Sequence, residues 1–269
     1  VCRNKPHLSR LVYSKKDEAG RNIAEQLKNH FLPQVPIIEF SKDTIYLEEA
    51  EKDERLTNAE FIIFASRHES KSEIPSLSLH APGNFRDAEF GGKPGKISMT
   101  SGRALKFLFK KLNENASQTQ HQITLEATHH GPLINKPCCF IEIGSNIEQW
   151  QNKKLGEVIA KTIADFQNFN PKKEIKTAIA IGGPHYCPAF NSIQLNNKEW
   201  AISHIIPEYC LPMSESILKE MIGNTQEQID LAIIDWKGCG NSESRQLILN
   251  LLDKLGLKYK IFDSGGKGI

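Results

Sequence analysis

Short apolar runs without polar alternation are the feature of this chain that most narrows its fold. Residues 61–65 read Phe-Ile-Ile-Phe-Ala, residues 138–143 form another apolar stretch, and residues 177–181 read Thr-Ala-Ile-Ala-Ile. A strand with one solvated face alternates apolar and polar side chains, so runs of this kind mark strands covered on both faces, as in the parallel part of an α/β sheet. Helical stripes lie between them. After a first strand at 8–13, Ala19, Ile23, Leu27 and Phe31 recur at helical spacing across 17–31, with Asp17 and Glu18 at the favourable N-terminal end. Leu105, Leu108, Phe109 and Leu112 do the same in 101–115, and Ile147, Trp150, Val158, Ile159, Ile163 and Phe166 in 146–169, the longest helix candidate. Short strands are expected at 36–40, 44–47, 201–206, 230–234 and 258–262, with further helices at 214–222 and 242–255. Strands alternating with helices predict a three-layer α/β/α domain with a mixed, mostly parallel sheet. The 269 residues divide into an N-terminal extension at 1–7 and a single α/β domain over 8–269.

Composition sets the outer limits. Apolar content of 39% with 25% charged residues belongs to a folded protein, and no apolar run is long enough to cross a bilayer. The first residues have no apolar core segment, so no secretory signal is read and a cytoplasmic location is expected. The six cysteines include the neighbours Cys138 and Cys139 and no Cys-x-x-Cys pair, which argues against a disulfide framework or a cysteine-rich zinc ribbon. A net charge of +2 permits an anionic partner without requiring one.

Candidate chemistry collects where strands end. Residues 125–132 read Leu-Glu-Ala-Thr-His-His-Gly-Pro, with Gly131 and Pro132 turning the backbone directly after two imidazoles. If the strand begun at 122 continues to 130, Glu126, Thr128 and His130 share one face, while His129 turns with Leu125 and Ala127 toward packing. The run at 61–65 delivers Ser66, Arg67, His68, Glu69 and Ser70, and the run at 177–181 delivers Gly182, Gly183, Pro184 and His185. A catalytic zinc takes nitrogen and oxygen ligands and keeps a position for water. Glu126, His130 and His185 supply such a set, with His68 as fourth candidate and His129 or Glu69 to move the proton. Without a metal, the same residues make a histidine–carboxylate acid–base pair. His204 reads as a satisfied core histidine, and His7, His30, His80 and His121 read as solvent contacts. Residues 71–100, rich in proline and glycine, read as a long mobile loop covering substrate.

Other chemistries lack their signatures. There is no Gly-x-Ser-x-Gly elbow, no P-loop and no Gly-x-Gly-x-x-Gly fingerprint, so neither a serine hydrolase of that type nor a nucleotide cofactor is expected. Arg67, Lys237 and Arg245 are candidate phosphate contacts.

Four motifs in order, Ser-Arg-His-Glu-Ser at 66–70, Glu-Ala-Thr-His-His-Gly-Pro at 126–132, Gly-Gly-Pro-His-Tyr at 182–186 and Ser-His-Ile-Ile-Pro at 203–207, together resemble the D-aminoacyl-tRNA deacylases of the archaeal and plant type. The likeness runs from Tyr13-Ser14 and the Asp-Glu-Ala-Gly of 17–20 through Asp235-Trp236-Lys237, nearly the whole chain. It implies a phosphorylase/hydrolase-like fold, zinc, and hydrolysis of the ester that joins a D-amino acid to the tRNA 3′ end. The expected partner is therefore D-aminoacyl-tRNA, met by a monomer with Arg67, Lys237 and Arg245 against its phosphates. An exopeptidase or amidase of the same fold and a non-enzymatic tRNA-binding protein are the competing readings.

Overall fold

The computed structural model describes residues 8–31, 35–70, 73–171 and 174–263. The N-terminal extension expected at 1–7 lies outside the described residues. The strands are β1 (Ser9–Ser14), β2 (Ile37–Phe40), β3 (Phe61–Glu69), β4 (Ser76–His80), β5 (Gln122–Leu125), β6 (Cys138–Ser145), β7 (Lys176–Ile181), β8 (Trp200–Ile206), β9 (Ile229–Asp235) and β10 (Tyr259–Phe262). The helices are α1 (Glu18–His30), α2 (Gly102–Asn115), α3 (Ile147–Trp150), α4 (Lys153–Asp165), α5 (Pro188–Asn196), α6 (Glu215–Gly223) and α7 (Ser242–Lys254).

The expected α/β architecture is present, but the strands form two sheets. One is six-stranded in the order β2-β1-β3-β6-β4-β5, and the other is four-stranded in the order β10-β9-β7-β8. In the first, β1, β2, β3 and β6 run parallel, and β4 enters antiparallel to β6 with β5 parallel to β4. The second is parallel throughout.

Local sequence explains the helix positions. Asp17 caps α1 by accepting from the Gly20 amide at 2.7 Å, and the stripe of Ala19, Ile23 and Leu27 is buried. The long helix expected across 146–169 is broken, because Asn152 accepts from the Lys154 amide and starts α4 afresh after the short α3. Residues 44–47, expected as a strand, instead contain the 3-10 turn Thr44–Tyr46. Ser101 caps α2, whose Leu105, Leu108, Phe109 and Leu112 are all buried. Glu227 accepts from the Ser101 hydroxyl and from the Gly102 and Arg103 amides, tying the start of α2 to the approach to β9. A single apolar core therefore takes residues of both sheets, Ile63 and Ile141 from one and Ala180 and Ile202 from the other, with α1, α2 and α4. Each large side chain buried there contributes about 1.5–3 kcal/mol.

The segment 71–100 is not loop throughout. Ser76 to His80 alternates with period two and becomes β4, fully buried beside β6. Residues 81–100 form no further strand or helix, and their end is pinned: Ser98 Oγ donates to the Pro132 carbonyl at 2.7 Å and Thr100 Oγ1 to the Cys138 carbonyl at 2.7 Å. A strand inside a sheet cannot act as a lid, so Ser76–His80 are no part of a covering loop.

Candidate active site

One face of the six-stranded sheet changes character along its strands. β3 and β6 pair with Phe64 beside Phe140 and Ser66 beside Glu142. Ile62, Phe64, Cys138 and Phe140 lie in an apolar cluster with Leu47 and Leu56. Two residues further along, the same face carries Ser66, His68 and Glu142. The antiparallel entry of β4 sets Ser78 opposite Glu142 and His80 opposite Phe140. The Glu126 amide, just past β5, donates to the Leu79 carbonyl at 3.1 Å, and its carboxylate lies 3.2 Å from His68 Nδ1 on β3.

The strand expected to reach residue 130 ends at Leu125. Beyond it the backbone is irregular, with His130 at a φ of 43°, so strand alternation no longer decides where the two histidines face. Their carbonyls accept from the Gly83 amide at 3.2 and 2.7 Å, and the Gly131 amide donates to the Phe90 carbonyl at 2.9 Å. His129, assigned to packing by alternation, instead has Nε2 3.5 Å from Glu126. The ring of Phe140 forms a floor, with His80 stacked on it at 5.3 Å and His130 edge-on at 4.7 Å.

Gly131 holds this turn. A Cβ there would fall within 3.0 Å of backbone atoms of Gly92, Gly91 and Ile45, none of which can swing aside as a side chain does. Gly131→Ala is accordingly expected to cost about 1–3 kcal/mol and to displace His130. A thermal melt and a metal-content assay check this; a variant with wild-type melting temperature and metal content would count against it.

The second sheet completes the site. β7 ends in Gly182-Gly183-Pro184, and the His185 that follows accepts the Ala127 amide on its carbonyl at 2.8 Å, while the Thr128 amide donates to the Ile205 carbonyl at 2.9 Å. Glu126 then lies among imidazoles from three segments. His68 Nδ1 is 3.2 Å from Oε1, and His185 Nε2 is 3.2 Å from Oε2. Glu142 accepts from Ser66 Oγ at 2.6 Å and lies 3.5 Å from His68 Nδ1 and 3.7 Å from His80 Nε2.

Backbone carbonyls fix three tautomers. His80, His129 and His130 each direct Nδ1 at a carbonyl, of Ala81, Ala127 and Gly131, at 3.2, 2.8 and 2.6 Å. A carbonyl can only accept, so each Nδ1 carries the hydrogen; a neutral ring then has its lone pair at Nε2. The Nε2 of His80 is buried and, like Glu126 Oε1, has no hydrogen-bond partner among the described residues. His68 does reach that oxygen within ion-pair distance, but without hydrogen-bond geometry. Three sets of donor atoms lie within 4.8 Å of one another: His80, His129 and His130; Glu126, His129 and His185; and His68, Glu126 and Glu142. These sets can hold a metal ion.

Charge divides the rings. Burial disfavours a cation at His68, yet Glu142 and Glu126 outweigh it and push the ring up to about 10. His80 is likewise raised against its burial by Glu142; at 3.7 Å the pull is coulombic. Burial and the charge on His80 push His129 well down and His130 to about 4. Burial alone would raise both carboxyls, but His185 and His68 bring Glu126 to about 2, and His68 and His80 hold Glu142 well below the usual range.

Of the residues singled out in the sequence, His68, Glu126, His129, His130 and His185 meet in this cluster. Glu69, the last residue of β3, is exposed and lies outside the three donor sets, on the face that strand alternation assigns to Arg67. Arg67 pairs with Asp17 at 3.4 Å and lies over the Trp150 ring at 5.7 Å. Lys237 is exposed in the turn after β9, and Arg245, on α7, lies over the Trp236 ring at 5.0 Å. His204 is the satisfied core histidine expected, its Nε2 3.1 Å from the Asn224 carbonyl. Glu142 and His80 were not legible as site residues. The signal for Glu142 is a carboxylate inside an otherwise apolar strand, which demands a buried partner.

A sequence model described as D-aminoacyl-tRNA deacylase matches residues 56–260. The D-aminoacyl-tRNA deacylase of Pyrococcus abyssi is 33% identical over 93% of this chain and 98% of its own length. That of Thermococcus kodakarensis is 34% identical with the same coverage. The crystal structure of a conserved protein of unknown function superposes with a TM-score of 0.86, at 28% identity, over 97% of this chain and 96% of that one. With a family model spanning most of the chain and relatives matched end to end, the chain belongs to the D-aminoacyl-tRNA deacylase family.

Proposed function

We propose that this protein hydrolyses the ester bond of D-aminoacyl-tRNA with a zinc ion held in the histidine–glutamate cluster. Family membership carries the reaction. The buried Nε2 of His80, without a hydrogen-bond partner among the described residues, and the grouping of His80 with His129 and His130, whose Nδ1 atoms are already committed, support the metal. The donor chemistry fits zinc, which takes imidazole nitrogen and carboxylate oxygen and whose imidazole ligands donate their other N–H to carbonyls. His80, His129 and His130 would hold the ion, with Glu126 and His185 adjoining through His129. A bound zinc ion supplies Lewis acidity and brings the acidity of water close to neutral pH.

The chain's own groups must then hold the ester and carry a proton from the attacking water to the departing ribose oxygen. Glu126 accepts from His185 Nε2 at 3.2 Å and so orients that ring, while the Ala127 carbonyl orients His129. His185 is the ring placed for the transfer. Its side chain, 30% exposed, is more open than that of His68 or His129, and it lies between Glu126 at Nε2 and the Tyr209 hydroxyl, 3.1 Å from Nδ1. A proton gained at one nitrogen can leave from the other. His68, hydrogen-bonded through Nε2 to the Tyr186 hydroxyl at 2.9 Å, is fixed beside it. The expected location is cytoplasmic, where charged tRNA is found; among the described residues no helix is long and apolar enough to cross a membrane.

The test is deacylation of paired D- and L-aminoacyl-tRNAs before and after chelation. The D-ester is expected to be hydrolysed and the L-ester spared, with activity lost on chelation and restored by zinc. Full activity in a demonstrably metal-free sample would sink the metal role, and equal loss of both esters the stereochemical one.

A further inference from the structure

Beside the cluster lies a cleft of about 410 Å³ lined by Glu208, Tyr209, Leu211, Pro212, Gly240 and Asn241 among others. Tyr209 joins it to the site. Its hydroxyl is 3.1 Å from His185 Nδ1, yet the residue is 54% exposed, so its ring offers an open aromatic surface one hydrogen bond away from the cluster. The volume lies within the range of small-ligand sites. A cation borders it: Arg86 donates to the Leu211 carbonyl at 3.0 Å, and Lys237 and Arg245 lie next in sequence to lining segments, Lys237 in the turn that ends at Cys239 and Arg245 after Ser244. Glu208 adds an acceptor suited to an amino or hydroxyl group.

An aromatic face, a few polar groups and flanking positive charge are what single-stranded nucleic acid requires, because any base can stack while the backbone follows the cations. We propose that this cleft receives the terminal nucleoside of the unpaired tRNA 3′ end, its base stacked on Tyr209, so that the attached ester lies against His185. The assignment rests on the deacylase reading and deepens it. Tyr209 is thereby a positioning residue with two separable parts: the ring seats the base, and the hydroxyl orients His185.

Substitutions separate the two parts. Tyr209→Ala is expected to raise KM for D-aminoacyl-tRNA about tenfold or more, the usual effect of losing one base–aromatic stack. The rise should be shared by D-alanyl- and D-tyrosyl-tRNA. Tyr209→Phe keeps the ring and should hold KM near the wild-type value while kcat falls, since the hydrogen bond to His185 is gone. Direct binding gives an activity-independent reading: uncharged tRNA with a complete 3′ end should bind the wild-type protein more tightly than tRNA lacking its terminal nucleotide, and Tyr209→Ala should erase the difference. A folded Tyr209→Ala protein with unchanged KM, a KM rise that follows the size of the amino-acid side chain, or equal binding of complete and shortened tRNA would each overturn the assignment. A wild-type protein without deacylase activity would instead overturn the function beneath it, while the tRNA-binding comparison would still decide the cleft.

Discussion

Replacing Glu142 by alanine is expected to destabilise the protein by about 3–5 kcal/mol, the usual cost of removing one partner from a buried ionic group. Glu142 is 2% exposed. Its carboxylate accepts from Ser66 at 2.6 Å and faces His68 and His80, both of which it draws toward the cationic form against their burial. Truncation leaves a buried hydroxyl without its acceptor and two buried rings without their principal counter-charge. Glu126, 3.2 Å from His68, keeps part of that ring's counter-charge, whereas Ser78, opposite Glu142 on β4, offers only a neutral hydroxyl. Glu142→Gln should cost less, since the amide oxygen can still accept from Ser66. The measurement is the urea midpoint of both variants and the wild type with chelator present throughout, so that lost metal affinity is not counted as lost stability. A loss below about 1 kcal/mol for the alanine variant, at unchanged denaturant slope, would show that the carboxylate does not compensate these rings.

Glu142 also marks the limit of what sequence discloses. The strands around it were legible: the apolar run at 61–65 and its counterparts at 138–143 and 177–181 are β3, β6 and β7, because a strand buried on both faces needs no polar alternation wherever it pairs. The stripes of α1 and α2 were legible for the same reason, being fixed by local period. What local period cannot specify is pairing. That β4 inserts antiparallel between β6 and β5 depends on contacts at long range, and without it His80 looks like a loop histidine and Glu142 like a lone acid. The division into two sheets is a pairing property as well. It determines that His185 after β7 meets Glu126 after β5, through the hydrogen bonds from Ala127 to the His185 carbonyl, from Thr128 to the Ile205 carbonyl and from Thr124 Oγ1 to the Tyr186 carbonyl. The motif residues were visible, but their mutual geometry was not. Glu69 shows the converse: adjacent to His68 in sequence, it is one residue further along a strand, so alternation turns it away from the cluster.

The same change of geometry alters what the paired histidines should do. Alternation along a strand assigns His130 to the metal and His129 to support, so that His130→Ala alone would lose the ion. With the strand ended at Leu125, His129 belongs to two donor sets, one with His80 and His130 and the other with Glu126 and His185. His129→Ala is therefore expected to cause the largest loss, lowering zinc affinity by about 100-fold or more, since even residues that merely orient a ligand contribute 10–100-fold. His130→Ala and His80→Ala should each lower affinity and rate as well, as each removes one of three grouped imidazoles. His30→Ala, at the exposed end of α1, serves as the comparison with unchanged metal content. Zinc per chain is measured across a chelator series beside D-aminoacyl-tRNA deacylation, with folding checked by circular dichroism. Should folded His129→Ala keep wild-type zinc affinity while His130→Ala loses it, the sharing of His129 between donor sets would have no role in binding, and the simpler division of labour expected from alternation would be correct.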